Sequence, residues 1–381
     1  MRIGIDARLL GPRTAGGGLG RYIAELVSEI KEQDHENEYV LFLRKSNWDE
    51  CPDAPNFKKV EADIPWYSFV EQARLPKIID GEKLDLVHFP HFNVSIKIST
   101  PFVVTIHDLI LLEHPTRRAS TLGPIKYFLK QLAYRWVVEH AIDAARAIIV
   151  PSDYTRRSIL KYFPTADPEK ITLIYEGVTP LDIGAGDPGK DDEFLREKGI
   201  ERPYLLYVGN SYPHKNLGAL VRAFQNALDA KPGLQLVLAG QKNYFSERLE
   251  RETRELGLEL PREVNFTGFI EDEDLPRLYR NASLYVFPSL LEGFGLPPLE
   301  AMSYDLPVAS SNASCLPEIL GASAIYFDPK DVDDMTRVIL EGLDNNALRK
   351  TLIKAGEIQT RRYSWPKMAR EILALYRQAG E

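Results

Sequence analysis

The stretch Ala282-Ser-Leu-Tyr-Val-Phe-Pro-Ser-Leu-Leu-Glu-Gly-Phe-Gly-Leu-Pro-Pro-Leu-Glu300 changes structural period part-way along. Its opening is apolar, β-branched and aromatic, the composition of a buried strand, and Pro288 stops it. Pro297 and Pro298 suit the first turn of a helix, where a missing N–H costs nothing. The reading is strand, tight loop, helix, with Glu292 in the loop and Glu300 about one turn into the helix. Gly293 and Gly295 let the loop backbone approach a ligand and leave N–H groups at a positive helix end. Two carboxylates without His or Cys beside them are poor metal ligands and good acceptors for hydroxyls. Taken singly, Glu292 also reads as a solvated loop acid and Glu300 as a first-turn acid favoured by the helix dipole.

The same period change recurs upstream. Strands are expected at Ile3–Ala7, Tyr39–Leu43, Leu84–Phe89, Pro101–Ile106 and Ala147–Val150, with helices from Leu19 to about Lys31 and over 123–145. Residues 179–192 are rich in glycine, proline and acid and read as part of a linker, 179–202. The pattern then restarts with strands at Tyr204–Gly209, Leu234–Gly240, 263–267 and 283–287 and helices at 217–229 and 244–256. Strands alternating with helices give a parallel sheet covered on both faces. The expected fold is therefore α/β, two doubly wound domains facing across a cleft. Their bounds are 1–178 and 203–363.

Each half carries groups at strand ends. Tyr207-Val-Gly-Asn-Ser-Tyr-Pro-His-Lys-Asn216 runs a strand into a loop bearing His214 and Lys215, with Asn216 placed to cap the next helix. A lysine there is either solvated or placed to hold a pyrophosphate. Gly16, Gly17 and Gly18 lie between strand and helix; Arg21 stands where the dinucleotide fingerprint needs its third glycine. They form either a phosphate-approaching loop or a mobile one. Thr105-Ile-His-Asp108 ends a buried strand, so His107 either meets a hydroxyl, with Asp108 holding its tautomer, or is satisfied locally.

Composition limits the rest. With 381 residues, 44% hydrophobic and 27% charged, the chain is a globular protein of two-domain size. No apolar run spans a membrane and no secretory core follows Met1, so the expected compartment is the cytoplasm. Cys51 and Cys315 stand alone, which argues against a disulfide framework or zinc site. A net charge of −8 disfavours nucleic acid as a partner. Locally, residues 97–161 carry 10 basic against 5 acidic groups. Within them 117–135, with Arg117, Arg118, Lys126, Lys130 and Arg135 among aromatic residues, is either a rest for anionic lipid or an ordinary solvated helix face.

Four segments in this order, the glycine loop, His107-Asp108, His214-Lys215-Asn216 and Glu292…Glu300, resemble family-4 glycosyltransferases of the GT-B fold over essentially the whole chain. The glutamate block is the most specific of them. The last segment, Tyr363-Ser-Trp-Pro-Lys-Met-Ala-Arg-Glu-Ile-Leu-Ala-Leu-Tyr376, is similar to the family's terminal helix, so 364–381 is expected to cross back to the N-terminal domain.

The resemblance implies a retaining hexosyltransferase that takes a nucleotide sugar to a glycan or lipid-linked acceptor in bacterial surface polysaccharide synthesis, with no metal and no cofactor. It assigns Glu300 to the ribose hydroxyls and Lys215, with His214, to the diphosphate. The N–H groups of Gly17, Gly18, Phe294, Gly295 and Leu296 are also assigned to the donor. Glu292 falls to the sugar hydroxyls, His107 to the acceptor side of the sugar, and Phe269 and Ile270 to the base. No family carboxylate stands opposite as a covalent nucleophile, so front-face attack is implied. Many members carry an arginine where this chain has Gly209 and Asn210, and another subgroup has one where His214 stands. Asn216 resembles a subgroup rich in bacterial mannosyltransferases. GDP-mannose is accordingly the expected donor. UDP-glucose, and a non-catalytic nucleotide-sugar-binding protein, stand as alternatives, as does a nucleotide-dependent oxidoreductase or epimerase, against which the absent fingerprint counts.

Overall fold

A computed structural model describes residues 1–11, 17–116, 123–178 and 186–381. The chain divides into two units, one of Met1–Gly177 with Ser364–Glu381, the other of Val178–Tyr363. Gly16, Arg117, Arg118 and residues 179–185 lie outside the described residues.

The first unit is built on β1 (Arg2–Asp6), β2 (Glu38–Leu43), β3 (Phe57–Glu61), β4 (Leu86–Phe89), β5 (Phe102–Thr105), β6 (Ala147–Val150) and β7 (Ile171–Leu173). They form one seven-stranded parallel sheet in the order β3-β2-β1-β4-β5-β6-β7. β4, β5 and β6 are buried at every position, as a sheet covered on both faces requires. The order reverses between β1 and β4, and the ends of those two strands frame the place where such sheets take ligands.

The terminal helix Trp365–Gly380 closes this unit. Ser364 caps it by accepting from the Lys367 N–H, and Trp365, Met368, Ile372 and Tyr376 are buried. The Tyr376 hydroxyl lies 2.6 Å from Nδ1 of His88 inside β4, and the Arg146 guanidinium donates to the Ala379 carbonyl at 3.0 Å. Fully buried side chains of this size contribute about 1.5–3 kcal/mol each, so the helix belongs to the core.

The second unit carries β8 (Tyr204–Val208), β9 (Gln235–Ala239), β10 (Val264–Gly268), β11 (Leu284–Phe287), β12 (Val308–Ser311) and β13 (Ala324–Phe327). Its six-stranded parallel sheet runs β10-β9-β8-β11-β12-β13, reversing between β8 and β11. Helix Leu217–Ala230 buries Leu217, Leu220, Val221, Phe224 and Ala227 at helical spacing against it.

The expected α/β class and doubly wound units are therefore observed. One expectation needs correction. The described part of the expected 179–202 linker is not plain, because Pro188–Glu197 form a helix. Asp187 accepts from the Gly189 and Lys190 N–H groups, Pro188 occupies the first turn, and Phe194 and Leu195 are buried. Asp191 on this helix holds Arg280 and Asn281 of the second unit at 3.3 and 2.9 Å.

Candidate active site

In the second unit, β8 leads through Gly209 into a tight turn over Pro213–Lys215. Asn216 then takes a left-handed conformation, φ 60°, which asparagine tolerates better than most residues. It occupies the cap position of helix Leu217–Ala230, but its side chain makes no cap, contrary to expectation. Its amide instead donates to the carbonyls of Pro288 and Pro329 at 3.2 and 2.7 Å. The His214 carbonyl accepts from the Leu290 N–H at 2.7 Å. These bonds tie the lysine turn to the end of β11, so the two segments beside the strand-order reversal are held together.

The loop after β11 is held from below. The Glu292 N–H donates to Ser314 Oγ at 3.0 Å, and the Cys315 thiol donates to the carbonyls of Glu292 and Phe294 at 3.3 Å each. Gly295 has φ 98°, and a Cβ there would lie 2.9 Å from Leu316, so glycine is required. Helix Leu296–Met302 begins immediately, with no side-chain cap.

The Lys215 ammonium reaches Glu292 Oε1 at 2.6 Å, with only 14% and 10% of the two side chains exposed. It also lies 5.6 Å from the Phe287 ring. Glu300, on the helix, is buried and accepts from the Tyr279 hydroxyl at 2.9 Å. Phe294 is buried, edge-on to Tyr363 at 5.3 Å. After β10, Phe269 is exposed and Ile270 buried. Close by, a cleft at the ends of β8, β9 and β10 is lined by Ser211, Lys242, Ser246 and Gly268. Among the described residues no acidic, histidine or cysteine cluster could hold a metal ion.

His107, Gly17 and Gly18 belong to the first unit. Gly17, φ 121°, precedes helix Gly18–Gln33, and a Cβ on either glycine would meet open space. His107 is held on both sides, Nδ1 3.0 Å from Glu176 Oε1 and Nε2 3.0 Å from the Pro90 carbonyl. Both partners present acceptor oxygens, an arrangement that favours a proton on each ring nitrogen. Burial opposes the charge, but Glu176, the Pro90 carbonyl and Asp108 outweigh it and raise the imidazole above its ordinary 6.5. The role expected of Asp108 is thus corrected. Glu176 orients the ring, while the Asp108 carboxylate accepts from the Ile110 N–H at 3.0 Å.

Sequence reasoning passed over Glu176, Tyr279, Ser314, Cys315 and Lys242. None sits in a motif; each is joined to the site only by the fold.

Two family profiles match the chain, Glycosyl transferases group 1 over residues 190–359 and Glycosyltransferase Family 4 over residues 16–180. The O-antigen chain mannosyltransferase B of Escherichia coli is 28% identical over 94% of this chain and 96% of its own. The chain is a GT-B glycosyltransferase. The transferase also shares its fold with sucrose-phosphate synthase from Thermosynechococcus elongatus, at TM-score 0.79 and 21% identity over 99% of this chain and 98% of that one. HepE of Anabaena, solved with UDP and glucose, aligns at TM-score 0.75 and 17% identity over 99% and 100% of the two chains.

Proposed function

We propose that this transferase moves mannose from GDP-mannose, with retention of configuration, to a glycan or lipid-linked acceptor in bacterial surface polysaccharide synthesis. The observation that carries the reading is the buried Lys215–Glu292 pair at the β8/β11 reversal, with Glu300 on the following helix. Its mannosyl character is supported by the likeness to a mannosyltransferase along nearly the full length of both chains.

In this reading Glu300, steadied by Tyr279, accepts from the ribose hydroxyls. Lys215 has three N–H donors and needs one for Glu292, leaving others for diphosphate oxygens. His214 and the N–H groups of Gly17, Gly18, Phe294, Gly295 and Leu296 assist, and Phe269 and Ile270 meet the base. Glu292 takes sugar hydroxyls. The bond from the sugar C1 to the diphosphate oxygen breaks as the acceptor oxygen bonds C1 on the same face. The acceptor proton passes to the departing phosphate. Charge on that leaving group is what the protein stabilises, a task worth roughly 2–4 kcal/mol for one buried charge-assisted contact. His107, whose protonated form Glu176 favours, is not a general base in this scheme; it sits on the acceptor side of the sugar as a positive group. No metal is needed, so a chelator leaves turnover unchanged.

Helix Pro124–Ala144 exposes Ile125, Phe128, Leu129, Leu132 and Trp136 beside Lys126, Lys130 and Arg135. Apolar side chains flanked by bases on a surface helix suit an anionic membrane face, where a lipid-linked acceptor would lie. No helix among the described residues is long and apolar enough to cross a membrane.

UDP-glucose is the second reading, favoured by the UDP and glucose found in HepE. A panel of nucleotide sugars, followed by product release and by the anomeric coupling of the product, tests both. GDP-mannose turnover with retention is expected; an inverted product contradicts the mechanism, and preference for UDP-glucose contradicts the donor.

A further inference from the structure

The loops that carry Lys215 and Glu292 leave the C-terminal ends of the strands in the second sheet. At the opposite end, roughly 15 Å away along a five-residue strand, a cleft of about 290 Å³ opens. It is lined by Pro203, Leu234 and Ser283, the residues immediately before β8, β9 and β11. Leu343 and Asp344, which end helix Val332–Asp344, and Arg349, near the start of helix Asn346–Thr360, also line it. That volume stands at the small end of ligand pockets, roughly 300–1,000 Å³.

Arg349 is pinned but not neutralised. Its Nη1 donates to the carbonyls of Ser283 and Gly342 at 2.6 and 2.9 Å, which uses both hydrogens of that nitrogen and fixes the guanidinium plane. Among the described residues Nε and Nη2 make no hydrogen bond, and no carboxylate pairs with the group. Partial burial lowers it from the ordinary arginine range with no anion to offset the cost, yet an arginine stays charged at physiological pH. The first turn of its helix holds no acid, so the positive helix end adds to the charge. The edge left over is the one whose parallel N–H groups match two oxygens of a phosphate.

Charge selects the ligand. Lys231 pairs with Asp344, so the lining holds two cations against one carboxylate. The Lys231 ammonium keeps two N–H groups beyond that pair, and both side chains stay partly exposed. Pro203, Pro232, Leu234 and Leu343 supply an apolar wall. A fixed guanidinium fork, a second ammonium and an apolar wall fit a compact anionic ester better than a bare ion or a neutral molecule.

We propose that this cleft is a second ligand site, separate from the Lys215–Glu292 site, for a small phosphate monoester whose phosphate lies between Arg349 and Lys231 and whose body rests on Pro203, Pro232 and Leu234. The full chain is titrated by calorimetry with mannose 6-phosphate, inorganic phosphate and neutral methyl α-mannoside, each with and without saturating GDP. Arg349→Gln keeps N–H donors for the two carbonyls and removes the charge. Asp344→Asn frees Lys231 and removes the one carboxylate of the lining. The expected result is saturable binding of the ester, tighter than that of inorganic phosphate and indifferent to GDP, with no binding of the mannoside in the cleft. Arg349→Gln should weaken the ester about tenfold, and Asp344→Asn should tighten it about twofold to fivefold. An arginine that only holds two carbonyls would produce the first change in melting temperature and never the second change in affinity. No saturable binding of either phosphate, displacement of the ester by GDP, or an ester affinity that Asp344→Asn fails to raise overturns the proposal.

Discussion

Lys215 and Glu292 stand on loops that leave two different strands, yet the ammonium and the carboxylate meet at 2.6 Å inside the second unit. Removing either partner of a buried pair leaves the other uncompensated. Lys215→Ala should therefore lower stability by up to about 3 kcal/mol, the low end for a buried pair, because both side chains keep some exposure. It should also weaken nucleoside diphosphate binding. The double variant Lys215→Met with Glu292→Gln separates the effects: thermal unfolding recovers, while diphosphate affinity stays lost. Recovery of both would show that the pair is structural.

Glu300→Gln tests the ribose contact. Hydrogen bonds to a charged acceptor are worth about 1.5–3 kcal/mol, so nucleotide affinity should fall on the order of tenfold to a hundredfold with little change in melting temperature. Tyr279→Phe, which removes only the hydroxyl that donates to Glu300, should cost about fivefold. Titration calorimetry with GDP reads both. A loss of melting temperature in step with the loss of affinity would return Glu300 to a structural role.

How much of this was legible in sequence depends on the range of the interaction. β2, β4, β5 and β6 are nearly or wholly buried, and continuous apolar runs declare them. β3, Phe-Lys-Lys-Val-Glu, lies at the sheet edge with Lys58 and Lys59 in it, and its pattern is too polar to announce a strand. Helix Phe69–Gly81 contains Pro76 and begins with an exposed Phe69, which hides it equally well. Glycine and proline punctuate the Glu292–Glu300 segment, so its local shape could be read. The lysine partner of Glu292 and the glutamate partner of His107 come from distant segments and are supplied by the sheet order. Arg349 carried no signal at all, because nothing in its neighbourhood says that the Ser283 carbonyl and Lys231 will arrive beside it.

The raised pKa of His107 sets a pH dependence. Its folded value lies above 6.5, so its contribution to stability is complete below 6.5 and is lost as pH rises through the raised value. His88 and His91 act oppositely: burial lowers both to about 3, and they draw stability down as pH falls below 6.5. Denaturant unfolding of wild type and His107→Gln across neutral and alkaline pH isolates the first effect. The stability difference between the two should shrink as pH rises; a constant difference contradicts the assignment.

The exposed face of helix Pro124–Ala144 gives a further prediction. Flotation with anionic vesicles should carry the enzyme upward, and neutral vesicles should carry much less. Each basic group near an anionic surface contributes about 1 kcal/mol, so Lys126→Gln with Lys130→Gln should weaken partitioning roughly thirtyfold. Leu129→Ser with Trp136→Ser should weaken it on both kinds of vesicle. Equal partitioning of all these variants would make the helix an ordinary solvated surface.

The central claim is that the second unit binds a nucleotide sugar through Lys215, Glu292 and Glu300 for mannosyl transfer. The most direct measurement is nucleoside diphosphate release from GDP-mannose, UDP-glucose and related donors, for the wild type and Lys215→Ala. The account predicts that GDP-mannose is consumed fastest and that Lys215→Ala lowers the rate on the order of a hundredfold or more. No release from any donor, together with no thermal shift by any nucleoside diphosphate, would contradict it.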